Sequence, residues 1–127
     1  MIAIFQALLL ATSLMFTSVA TADSKTYNQA NFDALQKAGK SILLEVHAPW
    51  CPTCRVQAPI INELLEEKEY QAITLLRIDF DSQKDALKKF NVSKQGTLIV
   101  FKGEKETGRS TGDTAFEKIE ALVQKAL

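Results

Sequence analysis

The chain has 127 residues, 46% of them hydrophobic, and its 15 Lys and Arg balance 15 Asp and Glu. A chain of this size folds as one domain whose core needs no disulfide staples, and zero net charge gives no electrostatic case for nucleic acid or acidic lipid. Two cysteines and one histidine are too few for a closed four-ligand zinc site within a single chain.

Residues 1–22 contain no Asp, Glu, Lys or Arg. An apolar stretch over 2–16 gives way to small residues, and Ala20-Thr21-Ala22 ahead of Asp23 fits a signal-peptidase site. A cleaved signal peptide is therefore expected at 1–22, with one domain over 23–127. No Lys or Arg precedes the apolar stretch, and roughly 20 apolar residues can span a bilayer, so an N-terminal membrane anchor is the alternative. Either places the domain outside the cytoplasm, periplasmic or secreted, where disulfides form and persist.

Further along, a short helix is expected at 31–38. Residues 42–47 form an apolar run broken only by Glu45, which reads as a buried strand. A helix follows over 51–67, with Pro59 inside it expected to kink it. A second buried strand at 73–78 precedes a helix at 83–90, opened by Ser82 with Asp85 three residues on. Residues 97–102 and 105–110 flank Gly103-Glu104 and read as a hairpin. The last helix, 115–127, opens on a Thr114-x-x-Glu117 capping box and repeats apolar residues at Phe116, Ile119, Leu122 and Val123. No repeat or low-complexity tract interrupts this α/β order.

Both cysteines lie in Trp50-Cys51-Pro52-Thr53-Cys54, where the first strand meets the helix after it. Cysteines three apart at a helix start share one face and can interconvert between dithiol and disulfide with little backbone movement. Unpaired N–H groups and the helix dipole favour a thiolate at Cys51, so Cys51 is expected to attack and Cys54 to resolve. Pro52 falls in the first helical turn, where its missing N–H costs little, and Thr53 adds a small polar side chain. A purely structural bridge would close too small a loop to gain much stability. A zinc site would need a second chain or a bound thiol.

Strand alternation puts Leu43, Glu45 and His47 on one face and Leu44 and Val46 on the other. An acid inside an apolar strand is costly unless paired or protonated, and Arg77 is its candidate partner. His47 reads either as a cation that stabilises the Cys51 thiolate or as a packed or surface imidazole.

These residues resemble the thioredoxin family over nearly all of the chain after the leader. Glu45 stands six residues before the first cysteine, where that family has a buried acid; Trp50 immediately precedes the cysteine, and Pro59 lies five after the second. The resemblance implies a thioredoxin fold with a central mixed β-sheet flanked by helices. It also implies that Glu45 moves protons for Cys54, that Arg77 matches a family lysine near that acid, and that Trp50 faces substrate. His47 stands where the family usually has an aromatic residue. One departure is informative: Gly96 occupies the place of the family's cis-proline before Thr97. By resemblance Gln95 would offer backbone hydrogen bonds to an extended substrate and Gly112 would match a glycine where backbones approach closely. A cis bond without proline costs about 2.5–4 kcal/mol, so a looser, trans loop is expected. The missing ring also leaves the dithiol less shielded from metals.

The expected function is an exported thiol-disulfide oxidoreductase that reduces protein disulfides as a monomer. It needs no cofactor beyond the Cys51–Cys54 disulfide, because no nicotinamide or flavin fingerprint is present, and it exchanges electrons with a membrane redox partner. A disulfide oxidant or isomerase, and a catalytically weak binding or metal-binding module, are the alternatives.

Overall fold

A computed structural model describes residues 24–127, so the expected leader lies outside the described residues. Its elements are β1 (Lys25–Thr26), α1 (Gln29–Lys37), β2 (Ser41–His47), α2 (Pro52–Glu66), a 3-10 turn (Lys68–Tyr70), β3 (Thr74–Asp79), α3 (Lys84–Lys89), β4 (Thr97–Lys102), β5 (Lys105–Thr111) and α4 (Phe116–Gln124). The strands form one mixed sheet in the order β1-β3-β2-β4-β5, with β1, β3 and β2 parallel and β4 and β5 antiparallel to their neighbours. No described helix is long and apolar enough to cross a membrane.

The sheet separates two apolar layers, because successive β2 side chains point to opposite faces. Leu43, Leu98 and Val100 pack against Ile61 and Leu64 of α2 and Ile119, Leu122 and Val123 of α4. Ile42, Leu44, Val46, Leu76 and Ile78 pack on the other side with Phe32 of α1 and Leu87 of α3. There Phe32 meets Phe90 and Phe101 edge to face, each at 5.2 Å between ring centres, contacts worth about 0.5–1.5 kcal/mol apiece beyond area burial. Gly103, at φ 60°, turns β4 into β5.

Helix starts differ from the sequence reading. Ala115 caps α4 without a side-chain bond, so the Thr114–Glu117 box does not form, and Gln83 rather than Ser82 stands at the cap of α3, also without one. Gln83 instead donates from its amide to the Tyr27 carbonyl and accepts from Asp79 N–H. Bonds to Tyr27, just after β1, and to the end of β3 thus replace a side-chain cap. Pro59 sits within α2, which runs unbroken from Pro52 to Glu66.

Candidate active site

The carboxyl ends of β2 and β3 meet the start of β4 and the end of β5 along one edge of the sheet, and the loops there converge on Cys51. Cys51 N–H donates to Ala48 O at 3.2 Å, closing the turn into α2. Cys51 is the N-cap of that helix, with extended backbone, and its Sγ accepts from Cys54 N–H at 3.1 Å. That donor is one of the orphan N–H groups a helix start leaves, so the residue that caps the helix also carries the reactive sulfur. Pro52 fills the first helical position. Cys51 and Cys54 are joined as a disulfide with Cα atoms 5.3 Å apart.

Both cysteines are buried beside Ala48 and Phe80. Trp50 forms the rim. The residue is 51% exposed; its ring stands edge-on to Phe80 and donates through Nε1 to Asp81 Oδ2 at 2.9 Å. Trp50 is a surface side chain rather than core, and Asp81 is a partner that sequence reasoning missed. Asp81 is itself anchored, since its N–H donates to Asp79 Oδ1 at 2.9 Å. That bond, with the Ser82 hydroxyl, holds the Asp79 carboxyl below the usual carboxylate range.

Beneath the site, Glu45 is 1% exposed and lies opposite Arg77 in the β2–β3 register. The guanidinium grips both carboxylate oxygens, Nε to Oε2 at 3.2 Å and Nη2 to Oε1 at 3.3 Å. Burial and pairing therefore occur together in Glu45. His47 lies at the mouth of a cavity of about 390 Å³ with Thr26, Pro49, Arg77 and Asp79. Partial burial and the Arg77 charge push its pKa below the ordinary 6.5, against smaller opposing effects of Glu45 and Asp79. That direction weighs against the cation reading of His47.

This has a consequence for stability, because the unfolded chain binds the His47 proton more readily than the folded one. Between the lowered folded value and 6.5, the folded protein gains stability as pH rises and loses it as pH falls. Urea midpoints measured at pH 5 and 7 should show a smaller drop for His47→Gln than for the parent; equal drops would exclude His47 as the source.

The loop over 94–97 completes the site. Among the described residues no peptide bond is cis, and Gly96 has φ 74°, a conformation proline cannot adopt. Its N–H donates to Val46 O at 2.8 Å, a bond that proline could not make. The same carbonyl lies 3.7 Å from Cys54 Sγ. Gly96 O accepts from Gly112 N–H and from Gln57 Nε2, each at 3.0 Å. A Cβ built on Gly96 would stand 3.0 Å from Thr53 Cγ2, so the loop lies directly on the residue between the cysteines. The loop is trans, as expected, and tied rather than loose. Nothing in the chain lies within 4 Å of a Cβ built on Gly112, and its φ of 81° requires glycine by itself. Gln95 is half-buried beside Gly96, and neither its N–H nor its carbonyl enters the described loop hydrogen bonds.

Gln57, which the sequence reading overlooked, is buried against this loop and donates to Gly96 O and Asp113 O. The buried face of α2 is Cys54, Gln57, Ile61, Leu64 and Leu65, so a lone polar residue on an apolar stripe was the available signal.

A family model described as thioredoxin matches residues 23–125. The chain belongs to the thioredoxin family. It is 34% identical over 98 residues to the thioredoxin of Chlamydia muridarum, covering 77% of this chain and 93% of that one. Thioredoxin from Alicyclobacillus acidocaldarius is 28% identical over 102 residues, 80% of this chain and 96% of its own. Among solved structures, Trxlp from Edwardsiella tarda superposes with a TM-score of 0.77 at 32% identity, over 80% of this chain and 98% of that one. With its cysteines at disulfide distance at the start of α2, this thioredoxin-family protein is a thiol-disulfide oxidoreductase.

Proposed function

We propose that this thioredoxin-family protein is an exported, monomeric reductase of protein disulfides. The observation that carries the thiol chemistry is the Cys54 N–H aimed at Cys51 Sγ, because a donor at that sulfur stabilises the thiolate with which Cys51 attacks; buried Glu45 and the minimal single domain support the reducing direction. The Cys51 thiolate attacks one sulfur of a client disulfide, breaking the client S–S bond and expelling a client thiolate. Cys54 then attacks Cys51 Sγ, releasing the second client thiol and closing the Cys51–Cys54 bond. Two electrons pass to the client, and the Cys54 proton reaches the leaving sulfur with Glu45 as the nearby base. The Gln95 backbone groups supply hydrogen bonds to an extended client, with Trp50 at the rim. A membrane-bound redox protein resupplies the electrons, the Cys51–Cys54 pair being the chain's own redox group. The uncharged segment 1–22 supports export, whether it is cleaved or retained as an anchor.

Insulin reduction by the parent and by Cys51→Ser tests the chemistry. Activity in the parent is expected to fall to the uncatalysed background in the variant, and equal rates would sink the enzyme reading. Cys54→Ser should accumulate mixed disulfides with clients. The direction is read from the midpoint potential: a value near about −270 mV fits a reductant, and one near about −120 mV would make the protein an oxidant instead.

A further inference from the structure

Gln57 makes a choice that packing does not explain. It is fully buried on the apolar face of α2, yet its Oε1 has no hydrogen-bond partner. An unsatisfied buried acceptor is destabilising, and an apolar side chain of similar size would fill the space without that cost. The amide cannot turn over to relieve this. Its Nε2 donates to two carbonyls at once, Gly96 O at 3.0 Å and Asp113 O at 2.9 Å, and reversal would set oxygen against both. The orphaned Oε1 is thus a consequence of holding those two carbonyls.

Those carbonyls belong to the two loops that meet over the dithiol. Gly96 O also accepts from Gly112 N–H, so one amide on α2 ties the 94–97 loop to the 112–113 loop. Gln57 is three residues from Cys54, on the same helix face. The loop's position is therefore referenced to the turn that carries the resolving cysteine. Gly96 supplies no ring to fix φ, and its N–H is bound to Val46 O. Neither the N–H nor the carbonyl of Gln95 takes part in these loop bonds.

We infer that Gln57 is a positioning residue for client binding: from inside α2 it holds the 94–97 loop in the shape that presents the Gln95 backbone to a disulfide-bearing peptide. The assignment rests on the proposed client-reducing function and deepens it. A small disulfide that reacts at Cys51 without lying along the loop would not depend on Gln57, whereas an extended peptide would.

The test compares the parent protein with Gln57→Met, which keeps the length and volume but removes both donors. Two substrates are used, a disulfide-bonded peptide and bis(2-hydroxyethyl) disulfide. Two lost hydrogen bonds should raise KM for the peptide about tenfold, with kcat, the rate on the small disulfide and the midpoint potential unchanged. Gln57→Glu is the second variant. Its carboxylate would face two carbonyls, whereas its protonated form regains one donor, so its peptide KM relative to the parent should fall as pH is lowered. A merely structural side chain would move both substrates together and show no such pH dependence. Equal effects on the two substrates, or an unchanged peptide KM in both variants, would overturn the assignment. A parent that reduces neither substrate would instead refute the reductase reading.

Discussion

Arg77→Met is expected to destabilise the protein by about 3 kcal/mol, because it strands the Glu45 carboxylate in the core. Glu45 is 1% exposed, and Arg77, whose side chain is 33% exposed, supplies both of its hydrogen bonds. Breaking such a pair from one side leaves an uncompensated charge, whereas removing both partners does not. The double variant Glu45→Leu with Arg77→Met should therefore recover much of the loss, and urea denaturation of the four members of the cycle measures it. Arg77→Met within about 0.5 kcal/mol of the parent would mean that the pair contributes little and that Glu45 is accommodated some other way.

The second large effect is expected at Gly96, in the direction opposite to what family resemblance alone suggests. Restoring proline should destabilise this chain by about 3 kcal/mol rather than tighten its loop. Three observations decide the sign. Gly96 has φ 74°, while the proline ring fixes φ near about −65°. Its N–H occupies Val46 O at 2.8 Å, and proline has no N–H. A Cβ there would also meet Thr53 Cγ2 at 3.0 Å. Gly96→Ala keeps the N–H and should cost only about 1–2 kcal/mol, the penalty of a side chain in left-handed backbone. A rise in thermal midpoint for Gly96→Pro would show that the loop switches readily to another conformation.

Much of this was legible in the residues themselves, for physical reasons that also mark the limits. Period-two alternation over 42–47 put Glu45 on the same face as Leu43, because one residue of slip would reverse every side chain in the strand; that α2 covers this face came from the structure. The Gly103-Glu104 punctuation gave the β4–β5 hairpin, and the spacing of Cys51 and Cys54 gave the redox pair. β1 escaped because two residues carry no period, and its pairing with Leu76 and Arg77 is settled by the sheet edge. The helix starts at Ala115 and Gln83 escaped because a capping pattern competes with tertiary partners that a linear reading does not see. Gly96 was recognised as a departure, but the compensation for it came from Gln57, 39 residues earlier in the chain. Only the fold brings those two together.

The two sulfurs of the site face groups of opposite polarity. Cys51 Sγ looks at an N–H donor, and Cys54 Sγ at the oxygen of Val46, whose other neighbour is the Gly96 N–H. Once the bond between them opens, this arrangement favours negative charge on the first sulfur and the proton on the second. A client captured by Cys51 then remains attached for as long as Cys54 keeps its proton. In the proposed mechanism Val46 O then prolongs the covalent complex and Glu45 shortens it, so capture and release become separate events with separate controls.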